Sequence, residues 1–121
     1  EIINQIKKSK PDLIHLHSSK AGILGRLVAK KTKTPVIFTA HGWAFTDGVS
    51  KSKQFVYKKI EQFFASYANK IITVSEYDKR LAIENKVGNS KKIVTIHNGI
   101  PYKEDLDNYK KLKSSSIVHV G

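Results

Sequence analysis

Five short apolar runs, rich in Ile and Val and almost without alternation, constrain this chain more than any other feature. They are Leu13 to Leu16, Val36 to Ala40, Ile71 to Val74, Ile93 to Ile96 and Ile117 to Val120. A strand with one wet face alternates apolar and polar residues. A continuous run fits a strand buried on both faces. Segments with helical spacing separate the first four runs. The resulting βαβ rhythm predicts an α/β fold with a parallel sheet and right-handed crossovers.

The first crossover is expected as a helix from Lys20 to about Lys31, with Ser18 or Ser19 as its cap. Ala21, Leu24 and Val28 share one face, with Leu27 beside them. Gly22 and Gly25 weaken the helix, and their spacing lets its backbone approach a strand closely. The second crossover is a loop, Trp43 to Ser52, followed by a helix from about Lys53 to Ala68. Its stripe of Val56, Ile60, Phe63, Phe64 and Tyr67 reads as core-facing, the alternative being a basic, aromatic helix on a membrane surface. The third starts at Ser75-Glu76-Tyr77-Asp78, a capping pattern, and runs to about Lys86, with Gly88 as a left-handed stop. His97-Asn98-Gly99-Ile100-Pro101 is a turn sequence, and Tyr102 to Ser116 suits a linker. The chain opens on Glu1 and stops at Gly121, directly after its last apolar run, which reads as a piece cut from a longer protein.

Composition narrows the function classes. The 121 residues carry 22 Lys and Arg against 10 Asp and Glu, a net charge of +12. Only Arg26 and Arg80 are arginines, whereas sequence-specific nucleic-acid readers lean on arginine forks. A lysine-dominated field fits an anionic membrane leaflet or plain solubility charge. No cysteine is present, so neither a disulfide framework nor a thiolate metal site is expected.

Ligands of open parallel sheets bind beyond the carboxyl ends of the strands. Those ends carry His17-Ser18-Ser19-Lys20, His41-Gly42-Trp43, Ser75-Glu76 and His97-Asn98-Gly99. His15 and His119 fall inside strands and read as packed, hydrogen-bonded histidines. His17, His41 and His97 match no short ligand spacing, so no metal site is expected. Neither a G-x-S-x-G elbow nor a Walker loop is present. Ser18-Ser19-Lys20 leads from strand to helix, where free amides favour an anion or a hydroxyl; an ordinary capped start is the alternative. Gly42 permits close backbone approach. Trp43 offers a flat face for a sugar or other ring at a partly open site, or else is buried in a structural turn.

Pro11-Asp12-Leu13-Ile14-His15-Leu16-His17-Ser18 and Lys20-Ala21-Gly22-Ile23-Leu24-Gly25-Arg26 resemble the family 4 glycosyltransferases of the GT-B fold. So do Phe38-Thr39-Ala40-His41-Gly42-Trp43-Ala44-Phe45, Ile72-Thr73-Val74-Ser75-Glu76 and Ile96-His97-Asn98-Gly99-Ile100. Their order is similar to that of members building capsular and other surface polysaccharides. The resemblance implies a Rossmann-like sheet with flanking helices, the second half of an acceptor-side N-terminal domain over residues 1–101. Residues 102–116 would be the interdomain linker, and 117–121 the first strand of a donor-side domain.

By the same resemblance the enzyme moves a sugar, with retention, from a nucleotide-sugar donor to a saccharide or lipid-linked acceptor. No cofactor and no nucleic acid are implied. The setting would be cytoplasmic, at the inner face of the membrane. His41 would be the catalytic histidine, and Ser18, Ser19, Lys20, Gly42 and Trp43 would line the acceptor cleft. Asn98 and Gly99 would serve a hinge. A basic non-enzymatic module and another GT-B enzyme, such as a sugar-nucleotide epimerase, are the alternatives.

Overall fold

The computed structural model describes residues 1–46 and 48–99, together with the backbone of strand 117–120. Its elements in chain order are α1 (Ile2–Ser9), β1 (Leu13–His17), α2 (Ser19–Thr32), β2 (Val36–Ala40), α3 (Lys51–Ala65), β3 (Lys70–Thr73), α4 (Glu76–Glu84), β4 (Ile93–Thr95) and β5 (Ile117–Val120). The strands form one parallel sheet in the order β4-β3-β2-β1-β5. All five expected runs are strands, within a residue or so of their expected ends. The strand 117–120, expected to begin another domain, pairs in parallel with β1 in this same sheet. The expected linker, 102–116, lies outside the described residues.

From β1 to β4 each crossover steps one place in the same direction. Right-handed connections then set α2, α3 and α4 on one face of the sheet. That face carries Ile14, Leu16, Val36, Phe38, Ile71 and Ile93, all buried. The side chains between them, Leu13, His15, His17, Ile37, Ile72, Val74 and Val94, point the other way and are only half-buried. The core is therefore one-sided. Each Leu or Phe sealed under the helices contributes about 1.5–3 kcal/mol.

The helices come close because their inner faces are small. A methyl group at Gly22 would lie 2.6 Å from the Phe38 ring, and one at Gly25 would collide with Leu16. Ala29, Ala65, Ala68 and Ala82 are buried likewise. The expected apolar stripes are corrected accordingly. Leu24 and Leu27 of α2 are exposed, and so are Val56 and Phe63 of α3. Large side chains do not fit where glycine and alanine set the spacing. One charged pair does occupy that space. Arg26 is fully buried, its Nη2 donates to Glu61 Oε2 at 2.8 Å, and its Nε donates to Gly22 O at 2.8 Å. The guanidinium lies 4.4 Å from the Phe38 ring centre. Among the described groups Nη1 has no partner.

Helix ends also differ from expectation: α3 runs Lys51–Ala65 rather than from about Lys53 to Ala68. α4 stops at Glu84, and Lys86 rather than Gly88 takes the left-handed conformation, at φ 55°. Gly88 instead makes room for Ile93, 3.2 Å from where its Cβ would sit. α1 is an element the sequence reading lacks, although Ile2, Ile3 and Ile6 carry a helical spacing.

Candidate active site

β1 and β2 end side by side, and the residues that follow them build a cleft of about 410 Å³. Ser18, Ser19, Phe38, Ala40, His41, Gly42, Trp43, Ala44 and Thr46 line it. The fold thus gathers His41 and four of the five residues expected to line the acceptor cleft. Lys20 is exposed on the first turn of α2 and does not line it. A larger groove of about 550 Å³ runs between α1 and Val28, and its lining is mostly apolar. It lies away from the carboxyl ends of the strands, where ligands of parallel sheets bind.

Ser18 has φ 66° and ψ 154°, a region occupied almost only by glycine. The expected cap is corrected by this geometry. Ser18 stands at the N-cap of α2, yet its side chain makes no cap hydrogen bond. No acidic residue lies in that turn either. Two residues past β2, Gly42 takes φ 147° with open space where a Cβ would be. Strained or unhindered backbone therefore lines both sides of the cleft.

Trp43 corrects a second expectation. Its ring is 4% exposed and stacks on Phe45 at 5.5 Å, and its indole N–H donates to Asp78 O at 2.9 Å. It forms the floor of the cleft rather than an open platform. The bond to Asp78 ties the loop after β2 to α4. His41 is exposed at the rim. Its Nε2 lies 3.0 Å from Nδ1 of His17, a contact that sequence spacing does not reveal. The register reveals it, because His17 pairs with Thr39 and the next residue on that face of β2 is His41.

The β3 and β4 ends are arranged otherwise. Ser75 caps α4 by accepting from the Asp78 amide at 3.0 Å, as the sequence predicts. Glu76 has its carboxyl pKa lowered, first by a hydrogen bond with Thr95 and then by Lys79, His97 and Arg80. His97 Nδ1 lies 3.2 Å from Val74 O, over the β3 end and apart from the other two strand-end histidines. Asn98 and Gly99 are exposed. Among the described residues no three His, Asp or Glu side chains gather as a metal site.

Comparison with known proteins agrees with this geometry. The family model for glycosyltransferase family 4 matches residues 1–104. An Escherichia coli UDP-Gal:alpha-D-GlcNAc-diphosphoundecaprenol alpha-1,3-galactosyltransferase is 41% identical over 96 residues, 78% of this chain and 25% of that one. The capsular polysaccharide biosynthesis glycosyltransferase CapM of Staphylococcus aureus is 31% identical over 123 residues, 92% of this chain and 32% of CapM. Among solved structures, Anabaena HepE in complex with UDP superposes with a TM-score of 0.64 at 17% identity, covering 91% of this chain and 30% of that one. The chain spans between 18% and 35% of the length of the curated relatives it matches. Neither a basic non-enzymatic module nor an epimerase is favoured by these likenesses. A parallel sheet with its cleft at the β1 and β2 ends, and a family match across nearly every described residue, establish that this chain belongs to glycosyltransferase family 4.

Proposed function

We propose that this chain is the acceptor-side part of a retaining glycosyltransferase. The enzyme moves a sugar from a nucleotide-sugar donor to a saccharide or lipid-linked acceptor in surface polysaccharide synthesis. The observation that carries the reading is His41 at the rim of a cleft bordered by Ser18, Ser19 and the unhindered backbone of Gly42. The names of the relatives supply the substrate classes. As the donor's anomeric C–O bond breaks, positive charge grows on the sugar ring and negative charge on the departing phosphate. The acceptor oxygen forms the new bond to the anomeric carbon and loses its proton to the departing phosphate. A fixed imidazole donor at the rim stabilises developing negative charge more than it stabilises the bound ground state. The donor's nucleotide is expected on a part of the enzyme beyond these residues. In the full-length protein, His41→Ala should lower kcat by about 100-fold or more at an unchanged melting temperature. Near-normal turnover in the folded variant would remove the role.

The reading extends to a cytoplasmic enzyme resting on an anionic membrane surface. No helix among the described residues is long and apolar enough to cross a membrane. The support is the outer face of α3, where Phe55, Val56 and Phe63 are 57%, 53% and 59% exposed. Lys51, Lys53 and Lys59 stand exposed on the same helix, and its one acid, Glu61, is buried. Apolar rings flanked by lysines suit the boundary between headgroups and acyl chains. Vesicle flotation should show binding that requires anionic lipid and falls when Phe55 and Phe63 become Ser. Equal flotation with neutral lipid, or with the double variant, would count against it.

A further inference from the structure

A hydrogen bond between two imidazole nitrogens holds one proton, which one ring donates to the lone pair of the other. His17 Nδ1 and His41 Nε2 make such a contact at 3.0 Å, with their ring centres 5.3 Å apart and nearly parallel. Nδ1 is the other nitrogen of His41, and among the described residues it makes no hydrogen bond. One rung below, the same diagonal recurs, with His15 Nε2 and Thr39 Oγ1 2.8 Å apart. The His15 and His17 rings touch, their centres 4.3 Å apart. The open face of the sheet thus carries a polar ladder that ends at the cleft.

We propose that His17 is a positioning residue for His41, the two rings sharing one proton that sets whether Nδ1 of His41 donates or accepts toward substrate. The proposal rests on the role of His41 given above. With the shared proton on His41 Nε2, neutral His41 presents a bare Nδ1 and accepts. With it on His17 Nδ1, His41 carries its own proton on Nδ1 and donates. Adding one proton to the neutral pair keeps the contact and fixes Nδ1 of His41 as a donor. A second added proton sets N–H against N–H and breaks the contact. Acid therefore takes the pair through two coupled steps that belong to neither ring alone. His15 and Thr39 lie next to the pair on β1 and β2. β5 sets His119 opposite His15 in register.

The test combines kinetics with 15N-imidazole spectra of the full-length protein. In the wild type, His17 and His41 should each record two steps. In His17→Asn, whose amide reaches the place of Nδ1 but does not titrate, His41 should record one. His17→Ala should lose about 10-fold or more in kcat while KM for both substrates stays within about 3-fold, and Asn should restore most of the loss. An identical His41 titration in wild type and His17→Asn overturns the proposal, as does a His17→Ala enzyme with normal kcat and pH profile. If His17→Ala does not fold, the Asn spectra decide alone. An active His41→Ala enzyme would overturn the role of His41 and the purpose of the pair. A one-step titration beside an inactive His41→Ala would overturn the pair only.

Discussion

Three helices start at a serine, and the two that follow their strands within two residues, at Ser18 and Ser75, are built in opposite ways. At β3–α4, Ser75 accepts from an amide of the first turn, and Glu76 and Asp78 place negative charge where the helix dipole is positive. At β1–α2, Ser18 makes no such bond, no acid stands in the first turn, and the backbone is held near φ 66°. One junction satisfies its own donors. The other leaves them without a serine cap, at a residue of strained backbone that borders the cleft. The same residue type at the same topological position thus caps a helix in one case and borders a cleft in the other. The sequence pattern distinguishes them only through the acids that follow Ser75.

The largest expected effect concerns what lies beneath the open junction, which has no counterpart under the capped one. Glu61→Ala leaves the Arg26 guanidinium buried without its counter-charge and should cost about 3–5 kcal/mol in urea unfolding. A loss below about 1 kcal/mol, the size of a surface pair, would mean that Arg26 reaches water and that no latch holds α2 against α3. Next, Ser18→Gly should relieve backbone strain and stabilise the protein by about 1–2 kcal/mol. Destabilisation instead would show that Ser18 is not strained, and the contrast between the junctions would fail. Smallest, Ser75→Ala should cost about 1 kcal/mol through the lost cap. If Ser18→Ala in parallel costs as much, the two junctions are alike after all.

The strands are legible because a buried parallel strand has a composition of its own: Ile14 and Leu16, or Ile71 and Ile72, need no partner to be read. The faces of the helices are not. Leu24 and Leu27, or Val56 and Phe63, look core-facing on a helical wheel, and glycine and alanine on the other side decide between the faces. Gly22 and Gly25 do signal close approach, and a Cβ at either would strike Phe38 or Leu16. The Arg26–Glu61 pair joins residues on two different helices, a tertiary fact invisible to local pattern. His41 and Gly42 can be read at the cleft from fold logic and resemblance. The burial of Trp43 cannot, because it depends on a carbonyl, that of Asp78, presented by another element. His17 reads in sequence as one of three strand-end histidines with no metal site expected, and only the register reveals its neighbour.

The one-sided core has a consequence for how the molecule behaves in company. Leu13, Ile37, Ile72 and Val94 form a half-wet apolar field with no helix over it among the described elements. Two such fields attract each other at contact, whatever the salt. What holds molecules apart is a net charge of +12, felt over a Debye length of about 10 Å at 0.1 M salt and about 3 Å at 1 M. Colloidal stability is thus a contest between a short-ranged stickiness fixed by the fold and a longer-ranged repulsion set by the buffer. Conditions that raise ionic strength favour the sticky side, and each lysine lost to acetylation shifts the balance the same way.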